Sequence, residues 1–504
     1  MNTISDLSLQ ELLRSKSVAI FSDLILNPIF SAIELELLAR LTEAGTPTTT
    51  IVCSGALPWC FQNPGHSALK CLACKSVRNL GQDLATRSLG QQLEINCAAD
   101  HQKELTQTAS EIIDQCKDSS ELVELSYKGI SVGPGIGATL SFSTKNSNPN
   151  LRKHQELVTK LLTSSMIVIE KLPELLELAK AEHLLVGSGR LATNWTASRV
   201  AEEMGIAVFA YENIPPNSFS VASLSPFLHI ENMKGMITNF EEEIEINMSL
   251  ISKSKDFFLS QRYPQKINEH NEALANQNIF IQRQKTKNLP AEFDPRKRNI
   301  AIFTSTEWEF AFLPDWENSL GEDQGEIVSR ILLNPDLSSD FVFWVRFHPN
   351  QKNSEDDVIL EFKKKCGGLC KYIEPNEPVD SYALMEACEK IITFGSTIGM
   401  EATYWGIPSI LCGRSEYEST DAVYRATSIS DAVELINKKI EPKMQSSSFS
   451  YGLYRQKRGS EFSHVKLDFP KFPKVHGTTS SSQPVKVFFF LLKAIRYLKR
   501  RSRW

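Results

Sequence analysis

Residues 298–412 alternate strand and helix without a break, and that pattern leaves few folds open. Apolar runs at Ile300 to Thr304, Phe341 to Phe347, Lys371 to Ile373, Lys390 to Phe394 and Ser409 to Cys412 are separated by helical segments near 324–333, 356–364, 381–388 and 397–405. Short strands joined by helices predict a parallel, doubly wound α/β sheet with both faces covered. Ligands of such sheets bind beyond the carboxyl ends of the strands. The polar and small residues of this half fall there: TSTEWEF, RFHPN, GSTIGMEA and GRSEYE follow four separate strands.

The first half opens in the same way. A strand at Ser17 to Ser22, a helix over about 28–44 and a strand at Thr48 to Cys53 give a βαβ start without a glycine-rich loop. The pattern returns at EHLLVGSGR (Glu182 to Arg190), a helix through Met204 and a strand, Ala207 to Tyr211, that ends at Glu212. The expected organisation is therefore a first α/β domain over 1–240 and a polar, Pro- and charge-rich connection over 241–297. A second α/β domain over 298–440 and a basic tail over 441–504 complete it.

The 504-residue length suits two such domains, and 41% hydrophobic with 23% charged residues excludes a disordered or fibrous chain. The longest apolar run, Val487 to Leu492, is far too short for a membrane span, and the start has no apolar stretch of the kind an export signal needs. The net charge of -5 conceals two unlike parts. From Tyr451 to Trp504 there are 13 basic residues against Glu461 and Asp468; the rest holds 42 basic and 58 acidic residues, so the tail is near +11 and the body near -16.

Within the second half, GSTIGMEATYWGIP (Gly395 to Pro408) places a tight glycine turn, then Ser396 and Thr397 at a helix start. Their hydroxyls and the free N–H groups suit phosphate oxygens, or else Ser396 only caps the helix. Gly399 would allow a backbone or ligand to approach closely. Glu401 suits ribose hydroxyls, or else answers the helix dipole. His348 and Pro349 leave a buried strand at the same rim, with Arg346 two residues earlier on the same side. An imidazole there suits a phosphate whose charge develops in reaction. Glu307 and Glu309 follow the first strand of this half, and Glu309 is the preferred general base; a solvated loop acid is the alternative.

TSTEWEF, the Asp323–Gln324 pair, RFHPN and GSTIGMEATYWGIPSI together resemble bacterial capsule and surface-polysaccharide biosynthesis proteins, which are glycosyltransferases of GT-B architecture. The resemblance covers most of 298–420 and continues weakly at YKGISVG (127–133), GSGR (187–190) and YEN (211–213). It implies two Rossmann-like domains facing a cleft, with a nucleotide sugar on the second and a glycan or lipid-linked glycan acceptor on the first. A His–Pro motif followed by a Ser/Thr motif is similar to transferases whose leaving group carries cytidine phosphate. That similarity implies His348, Ser396 and Thr397 around the nucleotide phosphate, with Glu401 nearby; on the residues themselves Glu309 and His348 stand as the catalytic candidates, with Arg346, Pro349 and Gly395 beside the nucleotide. The chain departs from the pattern at Trp308, where an aspartate commonly precedes the glutamate. The lack of an Asp-x-Asp in the cleft segments implies chemistry without a catalytic metal, with inversion expected. A sugar epimerase, a glycerophosphate transferase, or a carbohydrate-binding assembly protein without turnover are the competing readings on the same fold.

Two features lie outside that scheme. Cys53, Cys60, Cys71 and Cys74 crowd one segment with His66 between them. The spacing allows a structural zinc stapling a loop over 54–76, or a set of free, partly buried thiols. In the tail, Phe488, Leu491, Leu492, Ile495 and Leu498 share one face of an expected amphipathic helix over 484–501, opposite Lys486, Lys493 and Arg500. This suits an anionic membrane surface, here the inner face of the cytoplasmic membrane, or else a helix packed back on the protein. No nucleic-acid-binding module accompanies the charge.

Overall fold

A computed structural model describes residues 4–86, 90–214, 218–223, 225–263, 287–353, 356–466 and 474–475. The expected helix over 484–501 lies outside the described residues. In chain order the strands of the first half are β1 (Val18–Ser22), β2 (Thr48–Cys53), β3 (Gly90–Ile95), the ribbon β4 (Ser126–Tyr127) and β5 (Ile130–Ser131), β6 (His183–Gly187), β7 (Ala207–Ile214) and β8 (Ser218–Ala222). Those of the second half are β9 (Arg298–Phe303), β10 (Phe341–Arg346), β11 (Lys371–Ile373), β12 (Lys390–Thr393), β13 (Ser409–Leu411) and β14 (Tyr424–Arg425), with β15 (Ser460–Glu461) near the end.

The first sheet has the order β15-β8-β7-β6-β1-β2-β3 and the second β11-β10-β9-β12-β13-β14. The second is parallel throughout. The first is parallel from β3 to β7, with β8 and β15 antiparallel at its edge. Period-two alternation shows why both faces need cover. Ala19 and Phe21 of β1 join one apolar cluster while Val18 and Ile20 join another. In β9, Ile300 and Ile302 divide from Ala301 and Phe303 in the same way.

Helix starts follow short polar side chains. Asn27 accepts backbone N–H groups ahead of Pro28–Glu43, Asp323 ahead of Gln324–Leu332, Asp380 ahead of Ser381–Ala387 and Ser428 ahead of Ile429–Asn437. The two sheets, each wrapped by helices, make two Rossmann-like domains, the GT-B architecture expected from the sequence.

Two expected boundaries are corrected. The helix Ile230–Ile246 runs across the expected boundary at 240, and Leu250–Arg262 is a helix within the expected connection. The helix Phe449–Lys457, placed in the tail by sequence, packs on both, and β15 then joins the first sheet. Ser254 Oγ donates to the Phe449 carbonyl at 2.6 Å, and a Cβ on Gly452 would sit 2.5 Å from Ser254 Oγ. The chain therefore returns to the first domain after finishing the second. The basic residues of that stretch serve the body: Arg455 lies 3.6 Å from Glu416 and Lys457 3.8 Å from Glu243. Among the described residues no helix is long and apolar enough to cross a membrane.

Candidate active site between the two domains

Arg346, Phe303 and Thr393 pair in one row across β10, β9 and β12. The segments that follow therefore leave the second sheet at one level: His348–Pro349, Thr304–Ser305 and Gly395–Ser396. With strands about 4.8 Å apart, the outer two lie roughly 10 Å from each other. Hydrogen bonds tie the three together. The His348 backbone N–H donates to Thr304 Oγ1 at 2.9 Å, and Ser305 Oγ donates to the Phe394 carbonyl at 3.2 Å. Phe394 is buried, whereas Ser305, His348, Pro349, Gly395, Ser396 and Thr397 are partly exposed, as a ligand-facing rim requires.

The His348 ring is set by its own turn. The Asn350 N–H donates to Nδ1 at 3.2 Å, which leaves the proton of the neutral ring on Nε2. Burial, helped by the Arg346 charge, lowers its pKa from 6.5 to about 4. At neutral pH His348 is thus an uncharged imidazole with an Nε2–H donor. Gly395 has φ +101°, and a Cβ there would meet the Arg414 carbonyl oxygen at 2.5 Å. Tyr417 OH donates to the Ser396 carbonyl at 2.6 Å and fixes the turn.

Two expected ligand contacts are corrected. Glu401 is buried; Thr397 Oγ1 donates to its Oε1 at 2.8 Å and Tyr382 OH donates to Oε2, so the carboxylate is engaged within the domain. Burial raises its pKa, against both hydrogen bonds. Arg346 is buried and donates to the Glu374 carbonyl, holding the β10–β11 edge; its charge reaches His348 but its side chain is structural. At Gly399 the close approach expected from the sequence is made by Tyr417, whose Oη a Cβ would meet at 2.6 Å.

The segment after β9 carries the two acids to different places. Glu307–Glu309 is a single 3₁₀ turn. Glu307 accepts the Gln324 N–H at 2.9 Å, and burial, with Asp323 adding, raises its pKa to about 7. Glu309 faces the first domain, where Arg190 Nη1 donates to its carbonyl at 2.6 Å. Burial raises the Glu309 carboxyl and the Arg190 charge lowers it. Between them Trp308 is only 9% exposed, its ring 5.3 Å from Phe142 of the helix Gly133–Thr144. Ser141 Oγ donates to the Trp308 carbonyl at 3.3 Å, and a Cβ on Gly137 would strike the Phe312 ring at 2.5 Å. Farther along, Trp316 Nε1 donates to the Leu228 carbonyl at 2.9 Å. Where an aspartate was expected, the chain has an aromatic wedge that docks one domain on the other.

Sequence reasoning passed over two residues on the first-domain side. Arg190 ends GSGR after β6, 4.9 Å over the Phe142 ring. Glu212 lies on β7, next to Tyr211, whose carbonyl accepts the Ser188 N–H at 2.8 Å. Burial raises the Glu212 carboxyl and Arg190 lowers it. The signal was present: both are charged residues at or near the end of a buried strand, the criterion that found His348.

Among the described residues no group of three or more His, Cys, Asp or Glu side chains is arranged to hold a metal ion. Cys71 and Cys74 lie on the helix Ala68–Thr86, not on a loop. Cys71 Sγ accepts from Asn63 Nδ2 at 3.2 Å and Cys53 Sγ from the Gly55 N–H at 3.1 Å. Burial raises the thiols of Cys53, Cys60 and Cys74, the last to about 12.

No family model matches the chain, and no curated protein matches it. Solved structures resemble the chain at low similarity. Thermosulfurimonas dismutans KpsC, a β-Kdo 2,4 transferase, is 12% identical over 58% of this chain and 81% of its own, with a TM-score of 0.34. A UDP-forming α,α-trehalose-phosphate synthase from Burkholderia xenovorans is 9% identical over 88% and 96%, with a TM-score of 0.34. The UDP-GlcNAc 2-epimerase of Neisseria meningitidis, bound to UDP-GlcNAc, is 12% identical over 88% and 99%, with a TM-score of 0.24. Similarities of this size assign no substrate and no residue; the architecture stands on the strand order itself.

Proposed function

We propose that the chain is a glycosyltransferase that moves a sugar from a nucleotide-activated donor to a glycan acceptor of surface-polysaccharide assembly. One observation carries this reading. His348, Ser305 and Gly395–Ser396 leave the second sheet at one level, at the strand ends from which the segment to Glu309 reaches Arg190 of the first domain. In this scheme the nucleotide phosphate lies against the rim formed by His348, Ser396 and Thr397. The neutral ring donates from Nε2 to a phosphate oxygen whose negative charge grows as the bond to the anomeric carbon breaks. A cleft carboxylate accepts the acceptor proton, which favours direct, inverting displacement without a metal. A cytidine-monophosphate sugar is the favoured donor, on the His–Pro and Ser/Thr pairing of the sequence. The basic amphipathic pattern of 484–501 supports work at an anionic membrane surface.

The carbohydrate-binding reading without turnover rested on Trp308, and that residue has a packing role while Glu309 lies beside Arg190 of the first domain. The test is a melting screen of the full chain with CMP, UDP and GDP, followed by the same screen of His348→Asn. Asparagine keeps an acceptor near Nδ1 and removes the Nε2–H donor. A nucleotide should raise Tm of the parent and not of the variant. Equal stabilisation of both, or of neither by any nucleotide, would overturn the assignment.

A further inference from the structure

Resting on the transferase reading above, one arrangement beside the phosphate rim goes beyond it. Thr393 of β12 pairs with Leu411 of β13, so the segment Gly413–Arg414 leaves the sheet at the level of Gly395–Ser396. The two segments run in contact. A Cβ on Gly395 would meet the Arg414 carbonyl oxygen at 2.5 Å, and a Cβ on Gly413 would meet Phe394 Cα at 2.9 Å. Arg414 is thereby placed next to the turn that carries Ser396 and Thr397. Its Nε donates to Glu418 Oε2 at 2.9 Å, and the Ser415 N–H donates to the same oxygen at 3.3 Å. The other oxygen, Oε1, lies 3.0 Å from Lys234 Nζ on the helix Ile230–Ile246 and 3.7 Å from Arg425 Nη2.

Glu418 is buried, its side chain 2% exposed, whereas Arg414 keeps 24%. Among the described residues neither Nη1 nor Nη2 of Arg414 has an acceptor. One edge of the guanidinium is therefore pinned to a buried carboxylate, and the two Nη groups are left over. Arginine binds phosphate by presenting such a fork to two oxygens. Charge favours an anion as well. Arg414, Lys234 and Arg425 share Glu418, and Glu231, 3.3 Å from Lys234, adds one more acid, so cations outnumber acids by three to two.

We propose that Arg414 binds the donor phosphate at the Gly395–Ser396 turn, and that Glu418 is a positioning residue that holds the guanidinium there. A nucleoside monophosphate sugar carries a single charge on its phosphate diester, and the monoester that leaves carries about two near neutral pH. A fixed guanidinium therefore holds the leaving nucleotide more strongly than the donor, and a gain of that kind lowers the barrier. In this arrangement His348 on the β10 side supplies an uncharged donor and Arg414 on the β13 side a full charge. Because Lys234 shares the Glu418 carboxylate, the residue that aims Arg414 is also anchored from the helix that follows the first sheet.

The test uses the full chain as parent, Arg414→Met, Arg414→Lys, Glu418→Gln and Lys438→Met. Lys438 is an exposed cation at the opposite end of β12, where its carbonyl accepts from Lys390. Melting in inorganic phosphate against chloride at matched ionic strength reads the anion, and titration with CMP against cytidine reads the phosphate of a nucleotide. Phosphate should raise Tm of the parent and of Lys438→Met. Arg414→Met should lose that rise and bind CMP about tenfold more weakly, with cytidine unaffected, and Arg414→Lys should recover part of both. Glu418→Gln separates position from charge. Loss of a negative charge beside an anion site tightens phosphate, whereas loss of the pinned geometry weakens it, and weakening is expected. A parental response in Arg414→Met, no response in the parent, or an equal loss in Lys438→Met would overturn the site, and phosphate bound as tightly or tighter by Glu418→Gln would overturn the positioning role. Should Arg414→Met fail to fold, an undiminished response in Arg414→Lys would overturn the site in the same way. If phosphate raises Tm through Arg414 while CMP, UDP and GDP do not, the anion site stands and the transferase reading fails.

Discussion

Stability on the acid side should depend on His348 in a way that can be worked out in advance. The imidazole titrates at 6.5 when unfolded and at about 4 in the folded chain, because burial and the Arg346 charge disfavour the cation. A depressed value means that the folded state refuses a proton which the unfolded chain accepts. The contribution is therefore fully present above pH 6.5 and is lost as pH falls from 6.5 toward 4. At pH 5 the unfolded population gains a factor of about 30, or about 2 kcal/mol at most, since the ring is partly exposed. For a domain of this size that is roughly 4–8 °C of Tm. His348→Asn keeps an acceptor for the Asn350 N–H and removes the titration. Calorimetric melting at pH 7 and pH 5 should show the parent losing that much more Tm than the variant. Every other titrating group is common to both proteins and cancels in the comparison. Equal losses would show that the folded imidazole protonates as freely as the unfolded one, and the neutral Nε2–H donor would have to be abandoned.

Two further substitutions test the frame that holds the ring. Trp308→Ala removes a side chain 9% exposed between the domains and should cost about 3 kcal/mol of docking energy. Small-angle scattering should then report a larger radius of gyration, and an unchanged radius with unchanged Tm would contradict the wedge. Gly395→Ala places a Cβ 2.5 Å from the Arg414 carbonyl at φ +101°, a strain of about 1–3 kcal/mol. A lower Tm with lost nucleotide stabilisation is expected, and a parental melting curve would show the turn to be less constrained.

The second sheet was readable because its strands are buried on both faces, so IAIF and KIIT stand out as apolar runs between capped helices. Lys390 heads the second of these strands and is buried, its Nζ donating to the Ile436 and Lys438 carbonyls at 2.7 Å each. The return to the first domain was not readable. Phe449–Lys457 is short, with one aliphatic residue, Leu453, among aromatics that also occur in loops; only the partners show its burial, with Tyr451 OH donating to Glu416 at 3.0 Å and Phe257 edge-on to its ring. Glu401 failed for a related reason. Thr397 lies four residues before it, within sight of any helical reading, but Tyr382 comes from another helix. A glutamate near a phosphate-type turn and a glutamate buried under a tyrosine look the same in a sequence.

Trp308 shows how a departure from an expected pattern can carry the geometry that the pattern was meant to supply. In a 3₁₀ turn successive side chains point about 120° apart. Once Trp308 is anchored against Phe142 in the first domain, its two neighbours are forced to different sides. Glu307 turns back to the Gln324 N–H of its own domain, and Glu309 is left beside Arg190 of the other. An aspartate at 308 would be a third acid on the turn with no apolar anchor, and nothing would fix which glutamate faces the cleft. The tryptophan therefore selects Glu309 over Glu307 as the cleft-facing acid, by holding the turn that carries both.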